Sequence, residues 1–183
     1  PMMAGEPMMA GEPMMAGEPN LERVETTLSR EGRMIPVVAY VPEGEERLPL
    51  VVFTPGFQLD SAAYEPLLER IALAGFVVAR LNPVGTPFDA NHLEMGADAT
   101  AALDWALSGE VGARVDAERV ARVGHSLGGK LSLLNASQDP RVRAVVALDP
   151  VDGDPSPLPD PTNRPTLAGG ALTMVNVPVA LIG

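Results

Sequence analysis

"RVARVGHSLGGKLSLL", residues 119–134, decides how the rest of the chain reads. The apolar run Val120–Val123 has the character of a buried strand, and the Leu-rich run from Leu127 that of a helix. Between them Gly124-His125-Ser126-Leu127-Gly128 is a G-x-S-x-G sequence. In that setting the serine is expected on a tight, strained bend, with small residues two before and two after letting strand and helix approach closely. Its hydroxyl is left exposed above a sheet, and the first amides of the helix, with the positive end of its dipole, point toward the same spot. Developing negative charge would be stabilised there. The bland alternative is a glycine-rich turn that only packs a strand against a helix.

Two other motifs overlap this stretch. Gly124–Lys130 fits G-x-x-x-x-G-K, the phosphate-cradling loop, but that loop needs Ser or Thr after the Lys to hold Mg²⁺, and Leu131 stands there. The S-x-x-K nucleophile pattern fails by one residue, because Lys130 lies four beyond Ser126. Lys130 is read as part of a solvated face.

Outward from the motif, strand-like and helix-like segments alternate. Leu21–Ser29 and Met34–Val41 predict an antiparallel pair joined through Glu-Gly. "LPLVVFTPG" and "FVVARLN" predict strands buried on both faces. Ser61 is expected to cap a helix that presents Leu67, Leu68, Ile71 and Ala72 on one face and stops at Gly75. Met95, Ala99, Ala102, Leu103 and Ala106 recur at helical spacing. "VRAVVAL" predicts a strand, a Pro-rich loop spans Asp149–Pro165, and "NVPVALIG" predicts a last strand. Alternation of this kind indicates an α/β fold with a mostly parallel sheet, right-handed crossovers and helices on both faces. The uncovered apolar edge expected at Gly183 suggests that more polypeptide follows, as a further segment or a separate chain.

Composition narrows the class of partner. The 183 residues suit one domain, and the formal net charge of −11 disfavours nucleic acid or an anionic membrane surface. No apolar stretch is long enough to span a bilayer, and with no cysteine there is neither a disulfide nor a thiolate metal site. Residues 1–18 are three copies of PMMAGE, a low-complexity tail with Pro and Gly in every unit that builds no core. The domain is therefore expected over residues 20–183, with 1–19 as a tail.

Three segments together carry a resemblance. "VGHSLGG" resembles the nucleophile elbow of the α/β-hydrolase superfamily. "VVFTPGFQLDSAAYEPLLERIALAGFVVARLN" resembles the strand, oxyanion loop and helix of chlorophyllases and platelet-activating-factor acetylhydrolases, and "VVALDPVDG" the segment carrying the acid in those families. The match runs from about residue 34 to the C-terminus. It implies an α/β-hydrolase fold, represented by its N-terminal two-thirds with the last strand and helix absent, and a serine esterase that needs no metal or organic cofactor. The implied substrate is a small or medium ester with an apolar acyl or alcohol part.

By that resemblance Ser126 is the nucleophile, and the backbone amides of Leu127 and Phe57 form the oxyanion hole. The Phe57 side chain is open to a second reading as core filling. Asp149, at the carboxyl end of its strand, is the implied acid, with Asp152 and then Asp154 as rivals; an Asp-Pro turn is the structural alternative. Neither histidine makes a good base. His125 adjoins the nucleophile on a sharp bend, so its ring should point away, and His92 opens a helix where polar residues are ordinary. The superfamily order is Ser, acid, His. The base is therefore expected beyond Gly183 or on a companion chain, with His92 as the lesser alternative. A catalytically inactive scaffold that binds a ligand or partner is the competing reading.

Overall fold

A computed structural model describes residues 20–85, 90–153, 160–168 and 170–183. The expectations for the PMMAGE repeats and for Asp154 lie outside the described residues.

β1 (Leu21–Arg30) and β2 (Arg33–Pro42) form the expected antiparallel hairpin, with Arg30 opposite Arg33. Its two-residue turn holds Glu31 at φ 50° and Gly32 at φ 78°. Positive φ at both central positions matches the right-handed twist of the strands, and glycine takes it without strain.

β3 (Leu48–Thr54), β4 (Val77–Leu81), β5 (Val115–His125), β6 (Val142–Leu148) and β7 (Val179–Ile182) complete a seven-stranded sheet of order β1-β2-β4-β3-β5-β6-β7. β2 pairs antiparallel with β4, and every pairing from β4 through β3, β5 and β6 to β7 is parallel. The central strands read as nearly unbroken apolar runs because helices cover both faces.

α1 (Glu65–Leu73) covers one face: Leu68 and Ala72 pack with Tyr40, Val51, Phe53 and Val78. On the opposite face α2 (His92–Ala106) buries Ala99, Ala102, Leu103 and Ala106 against Val37, Val52, Val77 and Ala79. α4 (Leu127–Ala136) sets Leu127, Leu131 and Leu134 on Val142, Val145 and Ala147. The short α3 (Gly109–Ala113) and a 3₁₀ turn at Ala171–Met174 were not foreseen, being too brief to show a period. Arg122 on β5 is wholly buried; it donates to the Ala99 carbonyl at 2.7 Å, and burial pushes its guanidinium down to about 10.

Two local expectations need correction. Ser61 caps no helix: it lies inside a 3₁₀ turn, Ser61–Tyr64, that leads into α1, and its hydroxyl accepts from the buried Arg80 at 2.9 Å; the cap of that turn is Asp60, whose carboxylate accepts from the Ala62 amide at 2.9 Å. Lys130 is not on a solvated face: it is 0% exposed. Sheet, α2 and the loop after β6 enclose α4, and Lys130 goes inside with the apolar residues around it.

Candidate active site

The elbow is built by close backbone approach. A Cβ at Gly124 would lie 2.7 Å from the Gly129 amide and nearer still to the Gly128 carbonyl. At Gly128 it would lie 2.5 Å from the Pro55 carbonyl and nearer still to that of Thr54. Two glycines thus let the end of β5, the start of α4 and the end of β3 meet at one point. Ser126 sits on the bend at φ 52°, ψ −116°. This is the mirror image of extended backbone, a region natural to glycine and costly for a side-chain-bearing residue.

Ser126 is half-buried, and its amide donates to the Leu148 carbonyl at 2.9 Å. Leu127 opens α4, so its amide is among the first-turn donors that have no partner within the helix. The loop after β3 lies against this bend: a Cβ on Gly56 would sit 3.5 Å from that of Ser126. There Leu59 donates to the Gly56 carbonyl at 3.0 Å across a turn that holds Gln58 at φ 56°. Phe57 lies inside the turn, and its side chain packs with the cluster containing Ala90, Met95 and Leu127.

A polar lattice fastens this loop to the sheet. Asn82 accepts from the Ser61 amide at 2.7 Å and donates to Asp60 at 3.0 Å. Arg80 donates to Tyr40 at 2.9 Å, and Tyr40 to Glu65 at 2.6 Å. The Ala62 amide, followed by Asn82, holds the Asp60 carboxyl below its ordinary value. Burial, then the bond to Glu65, raises the Tyr40 phenol.

Asp149 directly follows β6, whose Leu148 pairs with His125 of β5, so it shares the sheet edge with Ser126. It is exposed, at φ 43°, and its amide donates to the Ile182 carbonyl at 2.5 Å. Its rival Asp152 is already engaged: the carboxylate accepts from the Leu167 amide and from that of Ala168 at 3.3 Å.

The two histidines have other surroundings to account for. His125 Nδ1 and the Tyr64 hydroxyl share a 2.7 Å hydrogen bond, with the rings 5.7 Å apart. His92 is buried at the start of α2, where its amide donates to the Asn163 carbonyl at 2.8 Å. It lines a groove of about 530 Å³ with Thr100, Asp104, Asn135 and Gln138. Asn135 lies nine residues beyond Ser126, about 13 Å along the α4 axis. Among the described residues no cluster of three or more His, Asp or Glu could hold a metal, and no helix is long and apolar enough to cross a membrane.

Tyr64 and the burial of Lys130 escaped the sequence reading. Nothing in the sequence marks Tyr64 as a partner of a residue sixty-one positions away. A signal for Lys130 existed, since a helix apolar on every side is enclosed on every side.

A strained serine between β5 and α4, in a sheet of this order, defines an α/β-hydrolase fold. The sequence profile of the chlorophyllase family matches residues 15–183, and the chain belongs to that family. It is 35% identical over 114 residues to Cutinase 2 of Thermobifida cellulosilytica, covering 61% of this chain and 43% of that protein. It is 36% identical over 132 residues to the bis(hydroxyethyl) terephthalate hydrolase of Streptomyces coelicolor, covering 71% and 41%. Among solved structures, the hyperthermophilic esterase of Pyrobaculum calidifontis superposes with a TM-score of 0.64 at 27% identity, covering 75% of this chain and 48% of that one. The chain thus spans less than half the length of each of these relatives.

Proposed function

We propose that this chain carries the nucleophile, oxyanion hole and acid of a serine esterase that cleaves carboxylic esters through an acyl-enzyme. The observation that carries the reading is Ser126 at φ 52°, ψ −116°, with the Gly56–Phe57 loop packed against it. Strain of this kind persists only where the surroundings enforce it, and here it lifts a hydroxyl off the sheet beside helix-terminal amides. Ser126 attacks the ester carbonyl. The amides of Leu127 and Phe57 receive the oxyanion, and losing one such donor typically costs about 10²- to 10³-fold.

Asp149 orients the imidazole that takes the serine proton and stabilises it once charged. That imidazole comes from polypeptide beyond residue 183 or from a second chain, because His125 is bonded to Tyr64 and His92 is buried away from the bend. Residues 20–183 are then the N-terminal part of the hydrolase domain, and 1–19 a tail. Likeness to cutinases, a bis(hydroxyethyl) terephthalate hydrolase and an esterase supports an ester substrate, here one with an apolar acyl or alcohol part.

A fluorophosphonate probe tests this directly. With the imidazole-bearing polypeptide present, intact mass should show one adduct, mapped to Ser126 and absent from Ser126→Ala, together with hydrolysis of p-nitrophenyl butyrate. The chain alone should label slowly. An unlabelled Ser126 in the assembled protein would make the chain a binding scaffold instead.

A further inference from the structure

The acyl-enzyme reading gives no task to the buried cation that follows the nucleophile on α4. Lys130 is among the largest fully buried side chains of the protein. An ammonium inside a protein persists only where acceptors meet its protons. Its Nζ donates to the Asp152 carbonyl at 3.0 Å. Lys130 lies four residues after Ser126, so its amide also donates to the Ser126 carbonyl, at 3.2 Å. The Val151 amide donates to that same carbonyl at 3.4 Å. Ser126, Lys130, Asp152 and Val151 therefore close a ring, and Asp149 lies two residues upstream of it.

The ring spans the two elements that must hold register. One side is the first turn of α4, which follows the nucleophile; the other is the loop after β6, which carries the acid. Packing presses them together, since a Cβ on Gly129 would lie 3.1 Å from that of Pro150. The far side of the loop is held by the Asp152 carboxylate on the Leu167 and Ala168 amides.

We propose that Lys130 is a positioning residue for Asp149, setting the separation of acid and nucleophile through the Asp152 carbonyl. The inference rests on the esterase reading and deepens it. A charge-assisted bond in low dielectric is strong enough to hold a loop whose acid is itself exposed and at positive φ.

The test uses the assembled protein that labels with fluorophosphonate. In Lys130→Met, kcat should fall about 10- to 100-fold with KM within about twofold, the cost of misplacing a reacting group by roughly 1 Å. Rates are normalised to Ser126 sites titrated by the probe, so unfolded protein does not count as lost kcat. The chain has no native cysteine, so Lys130→Cys can be alkylated selectively in denaturant and refolded. Aminoethylation restores an ammonium and should restore kcat, whereas propylation of the same sulfur, with the same length and no donor, should not. Amide exchange gives a readout free of activity: Val151 should exchange faster in Lys130→Met while Val52 and Val123 stay as in the parent. Parental kcat in Lys130→Met, equal kcat for the two alkylated forms, or unchanged Val151 exchange would each overturn the proposal. A parent that neither labels nor hydrolyses sinks the esterase reading instead, and Val151 exchange then decides the tether by itself.

Discussion

Gly128→Ala tests the packing on which the elbow depends. The added methyl would stand 2.5 Å from the Pro55 carbonyl and nearer still to that of Thr54. An unstrained carbon–oxygen contact is about 3.3 Å, so the end of β3 and the start of α4 must part by more than about 0.8 Å. Both obstacles are backbone atoms, on Thr54 at the end of β3 and on Pro55 directly after it, and backbone cannot rotate away as a side chain can. Overpacking of this kind costs about 1–3 kcal/mol. For a domain of this size that lowers Tm by roughly 2–12 °C. The same separation moves the Phe57 amide away from Ser126, and a displacement near 1 Å costs about 10²-fold in rate. Circular dichroism melting reads the first effect and second-order fluorophosphonate labelling the second. Gly153→Ala is the control, because a Cβ there meets nothing within 4 Å. A Gly128→Ala protein that melts and labels like the parent would refute the close approach of β3 to α4, and with it the proposed oxyanion hole.

Three further outcomes follow from individual residues. Ser126→Gly should raise stability by about 1 kcal/mol in urea denaturation, since glycine enters φ 52°, ψ −116° without the roughly 1–3 kcal/mol of strain borne by serine; a lower midpoint would deny that strain, and labelling should vanish. His125→Gln should keep hydrolysis within about tenfold of the parent, because loss of a true general base costs about 10²- to 10⁴-fold; a larger fall would make His125 the base. Asp60 has its carboxyl held below the ordinary value, first by the Ala62 amide and then by Asn82. Its contribution is therefore present above the unfolded-state value and lost as pH falls through the folded one. Asp60→Asn should flatten the acid limb of the stability curve below about pH 4. An unchanged acid limb would assign that loss to other carboxylates.

Much of the fold was legible along the chain. The hairpin of β1 and β2 came from alternation on either side of Glu-Gly, and β3, β4 and β6 from short apolar runs ending in Gly, Pro or polar residues. The elbow could be found because its glycines are spaced by a local backbone demand. What escaped was non-local. Asp60 displaced Ser61 as the cap because Arg80 of β4 and Asn82 just after it claimed the Ser61 hydroxyl and amide. Lys130 went inside because three separate parts of the chain close around α4.

The order of residues alone determined that Ser126 stands on a strand-to-helix bend and that Asp149 ends a neighbouring parallel strand. Both follow from short-range steric and hydrophobic patterns. Only the tertiary structure decided that His125 bonds Tyr64, that His92 faces a groove along α2, and that Asp152 is committed to the loop at Leu167. Such pairings join residues far apart in sequence, and a hydrogen bond leaves no trace in the chain until packing has brought its two ends within 3 Å.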